Sequence, residues 1–243
     1  MIKGVFQVLV IFIFGAIGGI VWQAILLPYL AQNSAFQDFW FIKEFKEREV
    51  VVLPKEEIYI QENVALTEAV EKVEKSIVGI RVKTKKGKII EGSGLILSSD
   101  GLLVTLADLL PQGSAFSFFV NGEIVPFEIL KRDGENNLAL VRIKKQNLQT
   151  CSFADFEKIK RGQRVFLVGV IFLNGKTERM VNSGIVKYFS KDFIRTNIFE
   201  KKILKGSGLF DIEGNVLGIN TIDSEGKVTA IPISKIKEFA NFQ

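Results

Sequence analysis

Apolar positions first occur as one long run. Nothing between Lys3 and Asp38 carries a charge, and Val5 to Leu27 reads VFQVLVIFIFGAIGGIVWQAILL. At about 1.5 Å per residue such a run is long enough to cross a hydrocarbon core of about 30 Å, which predicts an N-terminal transmembrane anchor within 1–33. A cleaved signal peptide would carry a shorter core, about 7–15 residues, followed by a small-x-small cleavage site. Here the core is longer and the exit reads PYLAQNSAFQ. With Lys3 alone ahead of the run, the charge rule says little about orientation, and the signal-anchor arrangement points to a cytoplasmic N-terminus. Gly15 and Gly19 form a GxxxG that offers a helix-mediated dimer.

Between 34 and 63 the pattern becomes mixed. Phe36, Phe39, Trp40, Ile42 and Phe45 recur at helix-like spacing, which reads either as a juxtamembrane segment with aromatics at headgroup level or as an amphipathic helix packed on the following domain. EVVVLPKEEIYIQEN then reads as an extended linker. LTEAVEKVEKS predicts a short helix with Leu66, Ala69, Val70 and Val73 on one face, opening a soluble domain over 64–243.

From Ile77 onward the period changes. Short apolar or alternating runs follow one another: IVGIRVK, KIIEGSGLILSS, GLLVT, AFSFFV, EIVPFEIL, LALVRI, RVFLVG, SGIVKYF, FIRTN, NVLGINT and KVTAIPI. NG, DG, EG and SEG stand between them, the chemistry of tight turns and hairpins. The pattern predicts an all-β sandwich or barrel, closed by a C-terminal helix over ISKIKEFANF.

Composition narrows the chemistry. The 243 residues contain no histidine, which excludes any Ser-His-Asp or Cys-His reaction. Cys151 is the only cysteine, so there is no intrachain disulfide and no cysteine-rich metal site; without histidine, zinc is not expected either. No cofactor is expected. The net charge of +5 is spread over lysines interleaved with glutamates, as in EKVEKS and KEFKERE, which describes a solvated face rather than a nucleic-acid footprint.

EGSGLILSSDGLLVTLADLL resembles the first-barrel signature of trypsin-like serine proteases of the HtrA/Deg family, in which a GSG strand and a DG turn lead to the segment carrying the catalytic histidine. RDGENNLALVRI is similar to the segment with the catalytic aspartate before a Leu-Ala pair. RGQRVFLVG with NSGIVKYF resembles the opening of the second barrel, and FIRTNIFEKKILKGSGLFDIEGNVLGINT with KVTAIPISKIKEF resembles the region of the catalytic serine, the last strands and the helix. The resemblance covers roughly Val70 to Phe239, with no PDZ domain after it. It implies a trypsin-like double six-stranded β-barrel that is extracytoplasmic, at the periplasm or cell surface, and a trimer as the family's common assembly.

The resemblance places all three catalytic positions on other residues. Counted without gaps, the histidine position is Asp108, the aspartate position Asn137 and the serine position Lys205. A carboxylate with an ordinary pKa near 4 is a weak base for a hydroxyl, and the nucleophile is missing as well. A gapped alignment would make Ser207, in KGSGL, a nucleophile beside Lys205, a Ser-Lys variant of the mechanism. The glycine that supplies one oxyanion donor in the family corresponds to Ile203. Opposite charges at the base and nucleophile positions predict an Asp108–Lys205 salt bridge with Asn137 hydrogen-bonded to Asp108.

The expected function is therefore an inactive, membrane-anchored HtrA-like pseudoprotease that binds extended polypeptides or envelope proteins in protein quality control. Its groove is expected along Thr196, Ile203, Lys205, Gly206 and Ser207, with Lys201 and Lys202 adding positive charge. The alternatives are a serine endopeptidase using the Ser207–Lys205 arrangement and a structural scaffold in a membrane-anchored oligomer.

Overall fold

The computed structural model describes residues 2–26, 29–30 and 58–242. The aromatic segment at 36–45 and the linker up to 57 lie outside them. The chain forms two compact units, Met1–Ile58 and Tyr59–Gln243.

In the first unit, helix α1 spans Ile2–Val21 and passes into a π-helical turn at Trp22–Leu26. Among the described residues no helix is long and apolar enough to cross a membrane, so the structure does not support the anchor expected over 1–33. The regular helix stops at Val21, short of the Leu27 end of the apolar run.

The second unit starts with α2 (Ile58–Val73), longer than the segment expected from 66 onward. The predicted face is the packed one. Ala69 and Val73 are buried, and Leu66 and Val70 pack beside them. Strands β1 (Ile77–Lys83), β2 (Ile89–Ile96), β3 (Leu102–Leu106), β4 (Ala115–Val120), β5 (Glu123–Val125), β6 (Phe127–Asp133) and β7 (Leu138–Ile143) form one antiparallel sheet in the order β5-β4-β1-β2-β3-β7-β6. Strands β8 (Arg164–Leu173), β9 (Lys176–Phe189), β10 (Ile194–Phe199), β11 (Gly208–Asp211), β12 (Val216–Ile222) and β13 (Lys227–Pro232) close a barrel in the order β10-β13-β12-β11-β8-β9, and helix α3 (Ile233–Ala240) follows.

Only the second half is thus the closed six-stranded barrel expected. The first is a seven-stranded sheet whose edge strands, β5 and β6, are consecutive in the chain and joined by Pro126 alone. EIVPFEIL reads as a single strand, but a proline has no N–H for the ladder and breaks it. Its first part pairs with β4 and its second with β7. The sheet still curls over a filled interior. Phe127 lies against Phe118 with ring centroids 4.6 Å apart and against Phe116 at 6.3 Å, around a cluster that includes Ile80, Leu103 and Val141.

The long β8–β9 hairpin turns at Asn174–Gly175, with φ of 50° and 80°. Both values are positive, the type I′ requirement that makes Asn-Gly the usual pair in a two-residue hairpin. A second cluster, including Leu167, Leu209 and Val228, fills the barrel. A third is shared between the halves: Ile77, Leu95 and Val104 of the sheet meet Phe166, Phe210 and Ile219 of the barrel, with Ile233, Ile236 and Phe239 of α3 and the buried face of α2. Phe166 and Phe210 stack there at 5.5 Å, a geometry that adds about 0.5–1.5 kcal/mol beyond burial. This shared core presses sheet and barrel together, and the candidate site lies on that junction.

Candidate functional site

Three short turns deliver the residues at issue. β3 ends at Leu106 and the chain makes a 3-10 turn over Ala107–Leu109, with Leu109 buried beneath and Asp108 outward. Asn137 ends the β6–β7 connection at φ 54°, a left-handed conformation that asparagine tolerates. Asp133 shapes that connection: its Oδ1 accepts the N–H groups of Glu135 and Asn136, and its Oδ2 accepts the Asn136 side-chain amide at 2.7 Å. These bonds, the Asn136 side chain first, hold the Asp133 carboxyl below its ordinary range. Lys205 follows a second 3-10 turn, Lys202–Leu204.

The turns bring Asp108, Asn137 and Lys205 together. Lys205 Nζ forms an ion pair with Asp108 Oδ2. Asn137 Oδ1 accepts the backbone N–H of Asp108 at 2.9 Å, and the Asn137 carbonyl accepts that of Ala107 at 3.1 Å. The asparagine is thus hydrogen-bonded to Asp108, as expected, but to its main chain. It fixes the turn and leaves the carboxylate to the lysine. With side chains 22% and 41% exposed, the pair is worth about 0–1 kcal/mol.

Nothing here resembles a poised nucleophile. Ser207 is fully buried, and its Oγ accepts the Asn220 side-chain amide at 3.0 Å. Among the described residues no hydrogen bond joins it to Lys205, whose ammonium is held by Asp108. The Lys205 N–H donates to the Lys202 carbonyl at 3.2 Å, closing the 3-10 turn, so this main-chain donor is spent on its own loop.

The loop is also clamped from below. Ser93, on β2 and fully buried, donates its N–H to the Lys205 carbonyl at 2.8 Å; its Oγ accepts the N–H of Val170 on β8 at 2.9 Å, and its carbonyl accepts the Thr105 hydroxyl at 2.7 Å. One serine of the sheet thereby ties down both the barrel and the Lys205 loop. Gly206 turns away at φ 76°, so close that a Cβ would lie 2.1 Å from the Ser93 carbonyl oxygen.

Of the groove residues expected from the sequence, three are buried. Thr196 donates its hydroxyl to the Val228 carbonyl at 3.2 Å inside the barrel, and Gly206 and Ser207 lie under the loop. Only Ile203 and Lys205 face an opening, a cleft of about 320 Å³. Its other walls come from Lys88, Ile89, Ile90 and Glu91 of the first hairpin, together with Asp108, Leu109 and Lys202. Sequence reasoning missed the hairpin wall, because no local pattern says that the start of β2 meets a loop more than a hundred residues later.

Residues 92–219, more than half of the chain, match the trypsin-like peptidase domain, and the match runs from the Ser93 clamp through the Lys205 loop to β12. The chain belongs to the trypsin-like peptidase domain family. Among its relatives, a probable periplasmic serine endoprotease DegP-like of Rhizobium meliloti is 30% identical over 164 residues, covering 61% of this chain and 32% of that protein. Proteins of the same description in Halomonas elongata and Chlamydia pneumoniae are 29% identical over 139 residues and 27% identical over 154, covering 54% and 58% of this chain and 29% and 30% of theirs. The trypsin-like domain thus spans about a third of the length of the relatives it matches, in line with an HtrA/Deg-type protease domain.

Proposed function

We propose that this trypsin-like domain is a pseudoprotease: it hydrolyses no peptide bond and instead binds extended polypeptide segments of envelope proteins. The observation that carries the reading is the Asp108–Lys205 ion pair at the base and nucleophile positions. A base must accept a proton and a nucleophile must lose one; here a carboxylate and an ammonium neutralise each other instead. The spent Lys205 N–H and the burial of Ser207 support the same reading and weigh against a Ser-Lys dyad. Strand addition at a sheet edge needs main-chain donors and acceptors but no catalytic group, so binding survives the loss of cleavage.

An extracytoplasmic setting follows the relatives described as periplasmic. Membrane attachment rests on the sequence: the run from Lys3 to Asp38 contains no other charge. The test is activity-based labelling of the full chain. A fluorophosphonate probe is expected to leave wild type unlabelled, at the same background as Lys205→Ala and Ser207→Ala, while carbonate washing leaves the chain in the membrane pellet. Labelling of wild type that disappears in Ser207→Ala would defeat the pseudoprotease reading, and release by carbonate would defeat the anchor.

A further inference from the structure

The cleft has an unpaired strand edge along one wall. β2 pairs with β1 from Ile89 to Leu95 but with β3 only at Leu95 and Ile96. Ser93 points its N–H away from β1, toward Lys205, so Ile89 and Glu91, four and two residues earlier, direct their main-chain groups to the same side. Among the described residues no strand pairs there. Such an edge is a template for another chain.

The surroundings of that edge are apolar and positively charged. Ile89, 49% exposed, lines the cleft together with Ile203 and Leu109. Five charged residues line it, and three of them are paired: Asp108 with Lys205, and Glu91 with Arg81 at 2.8 Å, Arg81 lying outside the cleft. Lys88 and Lys202, one on each wall, have no acidic partner among the described residues.

We propose that the cleft selects an acidic extended segment, which adds as a strand to β2 at Ile89–Glu91, sets one apolar side chain against Ile89 and Ile203, and directs carboxylates at Lys88 and Lys202. This rests on the peptide-binding reading above and names its partner class. The strand edge supplies affinity irrespective of sequence, and the two lysines supply the choice. An anionic lipid surface would meet the same lysines but use neither the edge nor a concave apolar floor.

The test uses full-length protein in detergent and fluorescent peptides that share one apolar β-forming core flanked by Glu, Gln or Lys. By fluorescence polarisation at low salt, the Glu-flanked peptide is expected to bind about tenfold tighter than the Lys-flanked one, the scale of one or two partly exposed charges. Lys88→Glu combined with Lys202→Glu reverses that order, and N-methylation of alternate peptide nitrogens abolishes binding. Retained binding with equal affinity for all three flanks overturns the acidic assignment and leaves the peptide-binding reading intact. Absence of binding by all three overturns both. Charge-dependent association with phosphatidylglycerol vesicles, removed by the double substitution and unaccompanied by peptide binding, overturns the proposal in favour of a lipid surface.

Discussion

Gly206→Ala is expected to destabilise the domain by about 3–5 kcal/mol, lowering its Tm by roughly 10 °C. Two costs add at this position. The backbone is held at φ 76°, which disfavours any side chain, and the new Cβ would sit 2.1 Å from the Ser93 carbonyl oxygen and 3.1 Å from Thr105 Oγ1. The Ser93 oxygen cannot move aside freely, because the N–H and Oγ of the same residue are bonded to Lys205 and Val170. Gly175→Ala separates the two costs. It has a similar φ of 80° but open space around its Cβ, so only the conformational part, about 1 kcal/mol, is expected. Chemical denaturation of both variants checks the difference. Equal losses would mean that the Lys205 loop is not pressed against β2 as described.

Placing the family's three catalytic side chains in the site by Asp108→His, Asn137→Asp and Lys205→Ser is expected to leave hydrolysis of an activated ester at background. These substitutions would replace the ion pair by a base and a nucleophile, yet the main-chain N–H at position 205 would still be committed to the Lys202 carbonyl. One missing oxyanion donor costs about 10²–10³ in kcat, and pairing between residues 202 and 205 keeps that donor turned into its own loop. Adding Ile203→Gly to the triple variant gives the loop the conformational freedom to open. The quadruple variant is therefore expected to exceed the triple by about 10²-fold. Robust turnover by the triple variant alone would show that the loop conformation is not what blocks the chemistry, and would shift the explanation to the side chains.

Much of this domain could be read along the chain. Alternation in IVGIRVK, AFSFFV and LALVRI gives β1, β4 and β7, and the Asn-Gly pairs fall at hairpin turns, because strand period and positive φ are properties of a few neighbouring residues. GLFD, which forms β11, carries no strand signature along the chain: its four residues are all buried, so no polar alternation marks them. EIVPFEIL reads as one strand, since the pattern on either side of Pro126 is continuous and only pairing shows that its two parts join different neighbours. In the site, gap-free counting from local motifs pointed to Asp108, Asn137 and Lys205, three residues that the structure brings together. It could not tell that Asn137 serves the main chain of Asp108, or that Thr196 and Ser207 face inward.

What the sequence determined by itself was therefore the absence of histidine chemistry and the strands with their turns, fixed by residue type and short-range spacing. Tertiary structure alone decided which of those residues solvent can reach, which backbone donors remain free, and that the start of β2 borders the Lys205 loop. The physical reason is that burial and hydrogen-bond partnership depend on segments far apart in the chain, here Ser93 with Lys205 and Val170, whose meeting is set by the shared core between sheet and barrel.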